Sequence, residues 1–117
     1  MSKRHEELED RLIQFGVAVC KKVRAMPRDR VSDHFAGQLL RSSTSPAAHY
    51  SEARDAESRV DFIHKMKLGL KELRESLVWL KFQAGLSHDN ETPELRDECH
   101  ELIAIFVASV KTARSRR

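Results

Sequence analysis

The sequence predicts an all-α protein, an antiparallel up-down-up-down four-helix bundle. Three observations carry that prediction. Ile63, Met66, Leu70, Leu73, Leu77, Leu80 and Ala84 recur at spacings of 3, 4, 3, 4, 3 and 4, the period of a seam packed against neighbouring helices. Only four glycines and three prolines interrupt the 117 residues. Hydrophobic residues make up 40% and charged residues 33%, so apolar stripes must alternate with solvated faces. A chain of this length forms one domain, here residues 1–117 with a short basic tail at 111–117.

The first helix is expected over residues 6–26. Leu8, Leu12, Phe15, Val19, Val23 and Met26 share one face. Glu6, Glu7, Glu9 and Asp10 crowd its start and Lys21, Lys22 and Arg24 its end, which complements the helix dipole. Pro27 then stops it.

The second helix is expected to begin at Asp29 or Arg30 and to reach Arg54. Its stripe of Val31, Phe35 and Leu39 gives way to Ser42, Ser43, Ser45, Ala47 and Ala48. Small residues there let a neighbouring backbone come close. Pro46 lacks an N–H and crowds the carbonyl four residues earlier. A kink near Pro46 follows, with the Ser42 or Ser43 hydroxyl near the freed groups; the alternative is a break into two short helices.

The third helix carries the heptad seam over residues 58–86, roughly 43 Å at about 1.5 Å per residue. Ser58 followed by Asp61 reads as an N-cap with an acidic first turn, and Gly85 as the stop. Residues 87–94, SHDNETPE, form the clear loop. Thr92 caps the fourth helix and Pro93 takes its first position. Leu95, Cys99, Leu102, Phe106, Ser109 or Val110, and Ala113 make its inner stripe.

Two segments have a familiar wording. Residues 41–53, RSSTSPAAHYSEA, and residues 56–81, AESRVDFIHKMKLGLKELRESLVWLK, resemble a family of four-helix bundle proteins. That family includes proteins encoded within intervening sequences of large-subunit ribosomal RNA genes. Its first segment reads R-S-x-T-S-I-G-A-N-x-x-E-A. Here Pro46 stands in the aliphatic position, Ala47 in that of the glycine and His49 in that of the asparagine. The second segment, with FIHK, LKE and WL, matches more closely. The resemblance implies a small, non-enzymatic bundle assembled as a ring-like homopentamer. More distantly, the chain resembles the accessory protein of diversity-generating retroelements, a basic pentamer that partners a reverse transcriptase and nucleic acid.

Three sets of residues are candidates for function. Arg41, Glu52, Lys65, Lys71, Glu72 and Glu75 fall on the second and third helices and suit a polar network between them or between subunits. The plainer expectation is a solvated face with i,i+4 pairs such as Asp61–Lys65 and Lys71–Glu75. Leu68, Trp79 and Phe82 lie off the main seam, and Ile103 and Val107 add a second stripe to the fourth helix. One small bundle need not bury these five, so they are the candidate oligomer interface. In an up-down bundle the N-terminus, the connection between the second and third helices and the C-terminus meet at one pole. That pole collects Lys3, Arg4, Arg54, Arg59, Lys111, Arg114, Arg116 and Arg117, the candidate nucleic-acid contacts.

Other chemistry finds little support. The glycines form no phosphate loop, there is no HExxH, and the six histidines show no metal-ligand spacing. No catalytic residue, metal or cofactor is expected. Cys20 and Cys99 read as buried thiols. The N-terminal segment is too polar for a signal peptide and no apolar run approaches the roughly 20 residues of a membrane span, so a cytoplasmic protein is expected. The net charge is +3, mildly basic, which permits nucleic-acid contact without requiring it. Two readings result. One is a homo-oligomeric interaction or scaffold module. The alternative is a nucleic-acid-binding accessory protein that serves a reverse transcriptase or an RNA-processing system through its basic pole.

Overall fold

Four helices carry nearly all of the chain: α1 (Lys3–Arg24), α2 (Arg30–Arg54), α3 (Arg59–Leu86) and α4 (Pro93–Ser115). The structure, a computed structural model, describes residues 3–87 and 93–116 and, within them, the side chains from His5 onward. No strand occurs among the described residues. Thr92, the expected cap of α4, lies outside them, as does most of the preceding loop.

α3 starts at the cap read from the sequence, and α2 at one of its two expected starts, with Asp29 as its cap. Asp29 has an extended backbone and its carboxylate accepts from the Ser32 N–H at 2.8 Å. Ser58 does the same for the Asp61 N–H at 3.0 Å. Each satisfies a donor that the first turn leaves open. The ends differ from expectation. α1 stops at Arg24, and the next two residues close a tighter turn in which the Met26 N–H donates to the Val23 carbonyl at 3.0 Å. Gly85 is not the stop of α3. The helix ends at Leu86, within the expected bounds, but no glycine has a positive φ and Ser87 ends it in extended conformation.

α2 passes through Pro46 as a single helix, so the break does not occur. The Thr44 and Ser45 hydroxyls donate back to the Leu40 and Arg41 carbonyls, each at 2.7 Å. These back-bonds and the missing proline N–H loosen one turn of the ladder, the usual origin of a helix bend. The Ser42 hydroxyl is not spent on freed backbone groups. It accepts from the Ser76 hydroxyl of α3 at 2.8 Å.

Contacts between helices fix their directions. Arg54 at the end of α2 reaches Glu9 at the start of α1. Arg41 of α2 meets Glu72 of α3. The Cys99 thiol near the start of α4 donates to the Leu73 carbonyl at 3.2 Å. Sequential neighbours therefore run antiparallel, and the bundle measures 50 × 23 × 18 Å. α2 with α3 is the most extensive pairing and α1 with α4 the thinnest. α2 and α4 face one another diagonally across the core, where the Tyr50 and Phe106 rings lie 6.1 Å apart.

The core is the one the stripes outline, with one shift. Leu12, Phe15, Val19, Leu39, Met66, Leu73, Leu80, Cys99, Leu102 and Phe106 are buried. On α3, however, the buried line runs Met66, Gly69, Leu73, Ser76, Leu80, Gln83. Ile63, Leu70 and Leu77 flank it and are only partly buried. The apolar seam marks one shoulder of the buried face. The other shoulder is made of small and polar residues because α2 comes close there.

Two stability effects follow. A Cβ built at Gly69 would stand 2.7 Å from Cε2 of the fully buried Phe106 ring. Gly69→Ala is therefore expected to destabilise, by about 1–3 kcal/mol as overpacking does, despite alanine's better helix propensity. Leu73→Ala is expected to cost about 2–5 kcal/mol, and Leu70→Ala less, since Leu70 already meets solvent. Urea unfolding midpoints measure all three.

Candidate functional site

The polar set on α2 and α3 resolves into a smaller clasp. The Arg41 guanidinium donates to Glu72 at 2.7 Å and to Glu75 at 2.5 Å. Gln38, one turn earlier on α2, accepts a third bond at 3.2 Å. Glu72 and Glu75 stand one turn apart on α3, so both carboxylates face the same guanidinium. The paired charges raise the arginine's pKa further, chiefly through the Glu75 hydrogen bond. Arg41 is half-exposed whereas Glu72 is largely covered. Glu52 stands apart, 3.7 Å from His49 Nδ1. Lys65 and Lys71 do not join the clasp, and the expected Lys71–Glu75 pair gives way to Arg41–Glu75.

The apolar set divides as well. Trp79 and Phe82 belong to an aromatic cluster that the sequence reading did not assemble. Phe35 of α2 stacks on Phe82 with ring centroids 5.2 Å apart and lies 5.9 Å from Trp79, and His34 stands edge-on to both Phe35 and Trp79. The signal available was Phe35 on the weak stripe of α2, level with the end of α3 in an antiparallel pair. Half of Phe82 remains exposed. Val31, one turn before Phe35, and Leu86, one turn after Phe82, are exposed as well. The four make one apolar surface at the end of the bundle away from the α2–α3 connection. Leu68 is partly covered along the outer side of α3. Ile103 packs against the core and Val107 is half-buried on α4, so neither joins that surface.

The basic pole is assembled in part. Arg59, Lys111, Arg114 and Arg116 are exposed, and the start of α3 lies beside the end of α4. Arg54 is different. Its side chain is only 10% exposed, lies over the Tyr50 ring at 5.9 Å and pairs with Glu9 at 3.4 Å. It holds α2 to α1 and does not face solvent. The side chains of Lys3, Arg4 and Arg117 lie outside the described residues.

Another clasp had no sequence signal, because its partners are far apart in the chain. Arg11 of α1 forks onto Glu98 of α4, with Nε at 3.0 Å, and approaches Glu101 at 3.6 Å. It is the polar tie between the first and last helices.

Among the described residues no group of three or more His, Cys, Asp or Glu side chains is placed to hold a metal ion. No described helix is long and apolar enough to cross a membrane. The side chains of His64, Lys67, Leu68, Lys71, Arg74 and Val78 border an open, shallow groove along the outer side of α3. This surface offers recognition by charge and shape.

No protein-family model matches the chain. No curated protein matches it. Among solved structures it is similar to a protein of unknown function from the S23 ribosomal protein family of Bacteroides thetaiotaomicron. The two share 25% sequence identity over 92% of this chain and 97% of that one, with a TM-score of 0.80. The likeness extends to the whole four-helix layout.

Cys99 supplies a pH test of the packing. Burial, reinforced by the Glu98 charge, pushes its thiol up to about 12 from an ordinary 9.0. The folded state therefore holds the thiol protonated where the unfolded chain releases it. That contribution is fully present below about pH 9 and is lost as pH rises toward about 12. Burial also raises the Tyr50 phenol, with the same sign. Unfolding free energy is expected to fall across this window, and less steeply in Cys99→Ala; equal slopes would contradict the account.

Proposed function

We propose that the chain is a non-enzymatic, self-associating helical module, a homo-oligomer that presents its bundle faces to its own copies and to a partner. The observation that carries this reading is the apolar surface of Val31, Phe35, Phe82 and Leu86. Three of these are exposed in a single chain, and Phe82 is packed against the Phe35 and Trp79 rings. Contiguous apolar patches of this kind mark association sites. Completing the burial of a half-exposed phenylalanine contributes about 1 kcal/mol per subunit, and aromatic anchors dominate such interfaces. The subunit number five comes from the family resemblance alone, as does the setting among ribosomal RNA intervening sequences. The similar S23-family protein supports the fold of such a module.

The test is solution mass. Wild type is expected at several times 13.5 kDa, the monomer mass, by light scattering at micromolar concentration. Phe82→Asp is expected to sediment as a monomer with unchanged helical circular dichroism. A monomeric wild type overturns the reading.

A second reading is a nucleic-acid-binding accessory protein acting beside a reverse transcriptase or in RNA processing. Arg59, Lys111, Arg114 and Arg116 favour it, being exposed together at one pole. Each contact to a phosphate releases counterions, so binding there is steeply salt-dependent and weakly sequence-specific. If the pole makes the contact, replacing Arg59, Arg114 and Arg116 by glutamine weakens RNA binding and flattens its salt dependence in a gel-shift titration. Binding that is unchanged in this variant removes the pole from consideration.

A further inference from the structure

We propose that the outer side of α3 is a track for the phosphate backbone of a nucleic acid. The inference rests on the nucleic-acid reading for its class of ligand and moves the contact from the pole to the flank of the bundle. His64, Lys67, Lys71, Arg74 and Lys81 are all exposed. Their spacings of 3, 4, 3 and 7 put them on one line down the helix, opposite the buried seam, with exposed Val78 filling the long step. The line spans about 26 Å at 1.5 Å per residue, the rise of roughly seven base pairs.

The packing of α2 on α3 leaves Lys67, Lys71 and Arg74 on this line uncompensated. Glu75, one turn on from Lys71, is the carboxylate the sequence offers it. That carboxylate is taken by Arg41 at 2.5 Å, and Glu72 is held by the same guanidinium at 2.7 Å. Glu75 is the single carboxylate bordering the groove. Lys67, Lys71 and Arg74 have no ion-pair partner among the described residues. Thus one arginine, itself off the line, neutralises both neighbouring carboxylates and draws them toward α2.

The form of the line selects the ligand. A protein partner is gripped by desolvated aromatic and aliphatic anchors; on the line itself only Val78 interrupts the charges, while Leu68, Leu70 and Trp79 border the groove beside it and are partly buried. Flexible charges of one sign, stepped three to seven residues apart on a straight rod, suit a polymer of repeating phosphates. The Trp79 ring at the edge of the groove is engaged by Phe35 and His34, so the contact reads charge and not sequence.

The experiment titrates the full-length protein into a fluorescent, mixed-sequence DNA duplex and follows anisotropy. Between about 50 mM and about 200 mM salt, the triple variant Lys67→Gln, Lys71→Gln, Arg74→Gln is expected to lose about 2–3 from the slope of log affinity against log salt. Its affinity at the lower salt is expected to fall at least about tenfold. All three side chains are exposed, so its circular dichroism should match wild type. The variant lacking the Arg59, Arg114 and Arg116 charges is expected to keep most of the binding. If that variant fails to bind and the α3 variant binds like wild type, the track is overturned and the pole reading stands. No binding by wild type overturns both. Poly-glutamate competing as well as an equal charge of duplex overturns the nucleic-acid assignment. Arg41→Ala is expected to weaken binding by returning Glu75 to Lys71, and adding Glu75→Gln to restore it. A loss that the second change does not restore overturns the role given to the clasp.

Discussion

The close approach of α2 to α3 governs this molecule. It is made by residues too small to keep backbones apart. Ser42 and Ser76 meet hydroxyl to hydroxyl in the core, and a Cβ at Gly69 would stand 3.5 Å from that of His49 on α2. Larger side chains at these points would push the two helices apart and reopen the core to water. The same proximity stacks Phe35 on Phe82 at one end and brings Arg41 within reach of two carboxylates near the middle. Packing, aromatic surface and charge arrangement are thus consequences of one inter-helix distance.

The ion pairs share a pattern. Those with arginine inside a helix join different helices: Arg54 with Glu9, Arg41 with Glu72 and Glu75, Arg11 with Glu98 and Glu101. Each is at least partly solvated, so its energy is modest. What these pairs decide is where charge is left over. Glu9, Glu72, Glu75 and Glu98 are drawn to the seams between helices, while Lys67, Lys71 and Lys81 remain on the outward line of α3. A net charge of only +3 therefore gives a poor description of the surface, because opposite charges are sorted by location.

The sequence was most legible where local rules act without competition. The cap at Ser58, the proline opening α4, the four stripes and the antiparallel order all follow from spacing and short-range hydrogen bonding. It was less legible where tertiary contacts override a local rule. The apolar seam of α3 pointed one shoulder away from the buried line, since Gly69 and Ser76 carry no hydropathy signal for close packing. Gly85 looked like a stop, yet the helix continues through it. Lys71 and Glu75 have the spacing of a helical pair, but the carboxylate binds the stronger, forked donor on the next helix. Arg54 counted as surface charge until Glu9 and Tyr50 were seen to enclose it. Arg11 and Glu98, 87 residues apart, offer no pattern to read.

The thin contact between α1 and α4 has a kinetic meaning. Every other adjacent pair of helices is joined by a connection in the chain, so those pairs reform quickly after any opening. α1 and α4 are the two ends of the chain, and closing them means closing the longest loop in the molecule. Their polar tie, Arg11 on Glu98, is part-exposed and weakens in salt. α1 is held mainly from one side, by α2, and buries Leu12, Phe15 and Val19 in the core. Its edge toward α4 is therefore where opening is expected to start, a local event that amide exchange along α1 would report before global unfolding.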